Sequence, residues 1–340
     1  ARHDAGGDRC QDLRMAEKSG GKRGGGKQAG GKRGAGKSGA GKRGAGNKGE
    51  PAAAELIGTV VEGPAGDGAG PDVQREKATE AIAEAHVHAP TRGNRKLESF
   101  LEAVNADARV RTWWYMAQGT SQRLGMSDHS WVHVQVVLNI SLRLLRLLRK
   151  GGIEPAMVAD HDMRQRDAEV VVAGGALLHD VGMSIHRADH EAYSLFLVAD
   201  RLDSLLEGVY DEPERSIVIA ETLHCVIGHR RRGEPYTVEA GVVRVADALD
   251  MDQGRSRIPI EGGRFGIHAL SAAAIDEVTI EPGEQRPVKI DIEMNNSAGI
   301  FQVDDLLATK IRGTPLEGHI EVTAQVSGET EKRLLPSFRI

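Results

Sequence analysis

Cysteine is nearly absent from this chain of 340 residues, and its two examples, Cys10 and Cys225, lie far apart in regions of different composition. That excludes a disulfide framework and points to a reducing cytoplasm. Long apolar runs are missing as well. The longest, residues 170–178, is nine residues, against the ~20 that a membrane helix requires. The Leu-rich stretch 142–148 is interrupted by Arg143 and Arg146. No apolar segment follows the N-terminal charges, so no secretory signal is expected. The expectation is a cytoplasmic protein with no membrane partner.

The net charge of -5, from 44 Lys+Arg and 49 Asp+Glu, conceals two opposed regions. Residues 1–50 carry 13 basic against 5 acidic side chains, leaving 31 against 44 for the rest. An acidic body argues against a duplex-binding surface, apart from any local basic patch.

The basic end is a Gly/Lys/Arg repeat in which Lys22-Arg23, Lys32-Arg33 and Lys42-Arg43 recur every ten residues. Over 18–49 it holds no apolar side chain larger than Ala, so residues 1–50 are expected to be a disordered tail that touches RNA, DNA or another polyanion weakly. Residues 31–38 spell GKRGAGKS, a literal phosphate-loop pattern. That loop works between a buried strand and a helix, and a Gly/Lys repeat produces such matches by chance. Residues 51–95, rich in Ala, Gly, Pro and Glu, read as a linker with a short helix around 73–86. The chain opens on Ala1, and Met15 precedes the repeat directly, which suggests an upstream or processed start.

From Lys96 the apolar periodicity is helical. Leu97, Leu101 and Val104 open one segment, and Val110, Trp113, Trp114 and Met116 continue it. A stronger helix is predicted over 128–150, capped by Ser127 or Asp128 and ended by Gly151-Gly152. Its stripe is Val134, Val137, Leu138, Leu142, Leu145 and Leu148, with His133 one turn in and His129 one turn before it. The next helix, 167–181, is apolar nearly all round and therefore central, yet it ends on His179 and Asp180. A charge at the end of the most buried helix is costly unless it is paired or bound to metal. Helices over 189–207, 212–229 and 237–251 then carry His190, His224 with His229, and Asp247 with Asp250. His161-Asp162, among Asp160, Arg164, Gln165 and Arg166, has no apolar helix feeding it and reads as a solvated connector.

The succession His133, His179-Asp180, Asp247, set in DHSWVHVQVV, ALLHDVGMSIHRADHEAYS and GVVRVADALDM, resembles the HD superfamily of metal-dependent phosphohydrolases, whose signature is H…HD…D on a helical bundle. The resemblance spans residues 96–257. It implies a divalent metal held by His133, His179, Asp180 and Asp247. Two imidazoles and two carboxylates suit Mn, Fe, Zn, Ni or Mg, and water on such an ion becomes a nucleophile near neutral pH. Family members with two metals bridge them through the HD aspartate and draw further ligands from this interval, here His190, His224 and His229. His190 or His224 is equally open to a general-acid or phosphate-orienting role beside Asp180. His224 and His229 stand five residues apart, ~140° around an ideal helix, so both face one ion only if the helix end loosens. His129 is left to touch substrate or to support a ligand. His186 is weaker, and His268 and His319 look structural or exposed. Arg230, Arg231 and Arg232 after His229, and Arg255 and Arg257 after Asp247, are the cations near the site; Arg230 and Arg255 are the expected phosphate clamps.

Beyond 257 the pattern alternates at 277–281, 288–294 and 319–326, with a turn at Pro282-Gly283-Glu284 and a short helix within 300–310. The fold expected is mainly α: a helical bundle over 96–257, followed over 258–340 by a small α+β domain with three or four antiparallel strands. The stretch MNNSAGIFQVDDLL also resembles an uncharacterised archaeal and bacterial branch of HD proteins. The function implied is hydrolysis of a phosphate ester, acting on a nucleotide, cyclic nucleotide or other phosphorylated small molecule, with a homodimer admissible. A non-catalytic nucleotide-binding regulatory module and a nucleic-acid-associated protein acting through its tail are the competing readings.

Overall fold

A computed structural model describes residues 71–231, 233–251 and 271–327, all within one compact unit that begins at Ala65. The basic repeat with its GKRGAGKS segment, the expected divisions at 50 and 257, and Arg232, Arg255, Arg257 and His268 lie outside the described residues.

The chain runs through α1 (Pro71–Glu84), α2 (Arg95–Ala106), α3 (Ala108–Leu124), α4 (Trp131–Lys150), the single turn α5 (Ala156–Ala159), α6 (Gln165–Leu178), α7 (His190–Leu206), α8 (Glu214–Gly228) and α9 (Val238–Leu249). It then forms β1 (Ile275–Pro282), β2 (Val288–Met294), a π-helical segment Gln302–Ala308 running into the turn Thr309–Ile311, and β3 (Ile320–Val326). The fold is mainly α with a small C-terminal sheet, as the periodicities predict.

Helix α6 is the central element because it has no polar face. Every residue from Asp167 to Leu178 is buried, and α2, α4, α8 and α9 pack around it. Gly175 permits that packing: a Cβ there would stand 2.5 Å from Cys225 Cβ on α8. Helix α4 starts later than its sequence suggests. Asp128 accepts the Ser130 N–H at 2.9 Å and so closes a turn, while Ser130 Oγ caps the helix by accepting from Val132 N at 3.1 Å. The predicted stripe, Val134 to Leu148, is buried. By length and composition α4 could cross a membrane; here half of that stretch is buried inside the fold.

The three-stranded sheet has the order β1-β2-β3. Its first pair is antiparallel, Ile280 opposite Ile290, but β3 lies parallel to β2, Val322 opposite Ile290. The all-antiparallel sheet expected from strand alternation is therefore corrected. Between β2 and β3 the chain crosses over through helical segments, which a parallel pair requires and a hairpin does not. Ile275, Val288, Ile290 and Ile292 join the same apolar cluster as α4 and α6.

Glu169 on α6 is a buried acid tied to three neighbours, receiving hydrogen bonds from Asn94 at 3.0 Å, Arg146 at 2.9 Å and Arg149 at 3.2 Å. Burial alone would raise its carboxyl, but the hydrogen bonds of Arg146 and Asn94 and the charges of both arginines hold it below its ordinary value of 4.5. A carboxyl lowered by folding stabilises fully above its unfolded value, and that contribution is lost as pH falls through the lowered one. Glu169→Gln should cost about 2–4 kcal/mol in urea unfolding at pH 7, and the gap to wild type should narrow below pH 4.5. An equal gap at both pH values would contradict the charged pairing.

Candidate metal centre

Helix α6 ends at Leu178, and the two residues that follow it are buried in the bundle. His179 is its C-cap, and Asp180 leaves the helix with φ -102°. A short 3-10 turn, Val181–Ser184, follows. Gly182 lets that turn lie against the start of α7, since a Cβ there would meet His190 O at 2.0 Å. Ser194 on α7 locks the junction, accepting the Gly182 N–H at 2.8 Å and donating to His179 O at 2.6 Å. Trp114 on α3 donates to Leu177 O at 2.9 Å from the other side. The HD pair is thus held by its backbone, leaving both side chains to the interior.

Five imidazoles from four other places in the chain and from His179 itself surround the Asp180 carboxylate. On the Oδ2 side His179 Nε2 stands at 3.3 Å, His133 Nε2 at 3.4 Å and His129 Nε2 at 3.8 Å. Asp247 Oδ1 completes this side, 3.6 Å from His133 Nε2 and 3.8 Å from His179 Nε2. On the Oδ1 side His190 Nε2 stands at 3.0 Å and His229 Nε2 at 3.6 Å. His133, His179 and Asp180 make one compact donor group and Asp180, His190 and His229 a second. Asp180 belongs to both.

The outward nitrogens decide what the inward ones are. His179 Nδ1 faces Ala176 O at 2.9 Å, His229 Nδ1 faces Val226 O at 2.5 Å, His129 Nδ1 faces Ser127 O at 2.7 Å and His133 Nδ1 faces Asp250 Oδ2 at 2.5 Å. Carbonyls and carboxylates only accept, which assigns the proton to each Nδ1 and the lone pair to each Nε2. His133 Nε2 and His179 Nε2 then point lone pairs at one another across 3.3 Å, beside a carboxylate oxygen. His190 Nε2 and His229 Nε2 are also 3.3 Å apart. Converging acceptors need a cation between them, so the His133, His179 and Asp180 group fits a divalent metal, and His190 and His229 offer Asp180 two further nitrogens on its other side.

Burial would raise the Asp180 carboxyl, but the imidazoles around it, His179 first, hold it well below the usual carboxylate range, and the same carboxylate raises His190 against the effect of burial. Burial, aided by the charges of His179 and Lys310 and opposed by Asp180, pushes His229 down to about 4, which leaves the neutral imidazole that ligates metal at pH 7.

The residues nominated from sequence divide clearly. His129, His133, His179, Asp180, His190, His229 and Asp247 are brought together. His224 is not, which corrects its nomination as catalytic group or second-metal ligand. It stacks on Tyr236 with ring centroids 3.9 Å apart, and its Nε2 accepts the Tyr236 N–H at 3.3 Å. The helical angle between His224 and His229 sends only one of them inward. Arg230 is exposed on its side chain while its carbonyl accepts from Arg244. Arg231 pairs with Asp305 at 2.9 Å, and Arg255 lies outside the described residues. His186 is exposed and accepts the Ala188 N–H at 3.0 Å, and His161 pairs with Glu221 at 3.2 Å.

Two residues have roles that the sequence reading did not assign. Asp250, one turn beyond Asp247, orients His133; the DxxD spacing in VADALD was its available signal. Lys310 arrives from the segment between β2 and β3, donates to His229 O, and reaches Asp247 Oδ2 at 3.1 Å. Arg244 on α9 holds the Lys310 carbonyl at 3.0 Å. Nothing in the sequence around Lys310 announces this role.

The HD domain family model matches residues 132–252, an interval that contains His133, His179-Asp180, His190, His229 and Asp247. An uncharacterized protein of Methanocaldococcus jannaschii is 37% identical over 236 residues, covering 69% of this chain and 86% of the relative. No solved structure matches the chain. With the H…HD…D residues gathered around one buried carboxylate, with the family model spanning them, and with the relative matched over two thirds of the chain, this chain belongs to the HD superfamily, whose members bind divalent metals and are typically metal-dependent phosphohydrolases.

Proposed function

We propose that the chain hydrolyses a phosphate ester of a nucleotide or other phosphorylated small molecule with two divalent ions that share Asp180. The observation that carries this reading is the double donor set: imidazole nitrogens converge on each oxygen of one buried carboxylate. His133, His179, Asp180 and Asp247 would hold the first ion, and Asp180, His190 and His229 the second. Divalent ions bound there supply Lewis-acid polarisation of a phosphoryl oxygen and bring the pKa of water toward neutrality.

The protein's own part is positioning and charge. Asp250 fixes the tautomer and the ring plane of His133, and the carbonyls of Ala176 and Val226 do the same for His179 and His229. Lys310 Nζ, held between Asp247 and the His229 carbonyl, places a positive charge where charge develops on the phosphoryl oxygens. His129, at the rim of the Oδ2 side, is set to meet the substrate. His190 joins the ions' ligands; its Nδ1 lies between the Arg187 carbonyl at 3.1 Å and guanidinium at 2.9 Å. No hydroxyl or thiol from the described residues stands among these groups as a nucleophile: Ser194 is engaged by the backbone, and Cys225 is buried with its thiol pushed up by burial. The attacking oxygen therefore comes from solvent.

Three outcomes follow in a phosphate-release assay over nucleotides and cyclic dinucleotides. A single turnover in oxygen-18 water should place one label in the phosphoryl product and none in the leaving alcohol; a phosphorylated side chain would contradict the reading. His229→Ala should lower kcat by about a hundredfold or more, whereas His224→Ala should stay within about threefold, as a surface change away from the ions does. Equal losses would restore His224 to the site. Lys310→Met should reduce kcat/KM by about a hundredfold while bound metal is kept, and an unchanged kcat/KM would remove Lys310 from the mechanism.

A further inference from the structure

The other end of α4 carries a cleft that the metal centre does not use. Thirteen residues separate His133 from Arg146 along the helix, about 20 Å at 1.5 Å per residue. Two adjoining openings there, of about 440 and 630 Å³, share Arg92, Arg146 and Lys150 in their walls. Arg143, Arg149 and Arg166 complete a ring of six cations, and Glu169 is the one acid among the lining residues. In a body with a strong acidic excess, such a local concentration of one sign is out of keeping with its surroundings.

The charge is not neutralised from within. Glu169 is already shared by Arg146 at 2.9 Å and Arg149 at 3.2 Å. The side chains of Arg92, Arg143 and Lys150 are exposed and form no hydrogen bond or ion pair with another described residue. Arg146 Nη2 is shielded from solvent and has no hydrogen-bond partner among the described residues. Buried guanidinium nitrogens are seldom left so. The loop that presents Arg92 is also specifically shaped. Arg92 holds a left-handed backbone, φ +50°, before Gly93 at φ +75°, and Arg166 Nη1 fixes the Gly93 carbonyl at 3.0 Å. A bulky residue adopts that conformation only where its surroundings impose it. The N-terminal turn of α6 contributes Gln165 and Arg166 to the same wall.

The larger opening adds a second chemistry. Ile140 and Leu147 on α4 face Val278 and Ile280 on β1, so an apolar wall adjoins the cationic one. Cavities of this size suit a small organic ligand rather than a bare ion. We infer that this cleft is a second ligand site, distinct from the metal centre, for an organic polyphosphate. Its phosphates lie against Arg92, Arg146 and Lys150, where guanidinium forks pair with phosphoryl oxygens. Its apolar moiety lies against Ile140, Leu147, Val278 and Ile280.

Calorimetric titration of the full chain at 150 mM salt tests this, with a non-hydrolysable adenosine triphosphate analogue and inorganic triphosphate as probes. The double variant Arg143→Glu/Lys150→Glu, both positions being exposed, should weaken the analogue at least tenfold, and Arg92→Ala at least threefold, with unfolding midpoints unchanged. The control Arg75→Glu/Arg109→Glu makes the same change in net charge on α1 and α3 and should leave affinity within twofold. The analogue should bind about tenfold tighter than inorganic triphosphate. Unchanged affinity in the cleft variants would overturn the site, since binding would then belong to the metal centre or the basic tail. An equal loss in the control would reduce the effect to net charge and overturn it as well. Equal affinity for the two probes would overturn the organic half of the assignment.

Discussion

The structure depends on keeping one ionised carboxylate, Asp180, in the interior at the end of the most apolar helix. Left alone, a buried ion costs several kcal/mol after relaxation. Here imidazoles approach it on both oxygens, and three helices each supply one: α4 with His133, α7 with His190, α8 with His229. The close packing of α6 at Gly175 and the backbone lock through Gly182 and Ser194 set where that carboxylate stands. Packing and chemistry are therefore the same constraint. The bundle is arranged so that helix ends, where histidine Nδ1 groups find unsatisfied carbonyls, converge on one point.

That convergence explains how much of the site is legible in the sequence. His133 sits on a strongly periodic helix whose pattern orients it toward the core, and Asp247 follows Val243 by one turn on α9. The HD pair announces itself because a charge closing an all-apolar helix needs a partner. His224 and His229 are ambiguous in sequence because both lie on α8 near its end, and helical geometry excludes one without saying which. Only the packed structure shows that His229 is the C-cap turned inward, with Nδ1 on the Val226 carbonyl, while His224 stacks on Tyr236.

What was not legible is what arrives through tertiary contact. Lys310 lies 63 residues from Asp247, in a segment whose local pattern says only that a short helix is present. The cationic cleft unites α4, the loop at Arg92, the start of α6 and β1, four places that no motif connects. Strand direction failed for a similar reason. Alternation reports which face of a strand is buried but not whether its neighbour runs parallel, and the crossover through Gln302–Ala308 decides that for β3. The C-terminal sheet shares the helices' apolar core and, through the segment joining β2 to β3, delivers Lys310 to the metal centre.

The central claim is that Asp180 serves two ions at once, and metal stoichiometry tests it most directly. Inductively coupled plasma mass spectrometry on the purified full chain and on its His229→Ala variant, each equilibrated with excess divalent metal and desalted, reads the number of ions per chain. The account predicts two for the wild type and one for the variant, because the His133, His179, Asp180 and Asp247 group remains whole. One ion in both proteins would contradict the sharing of Asp180 and leave His190 and His229 as partners of a single-ion centre.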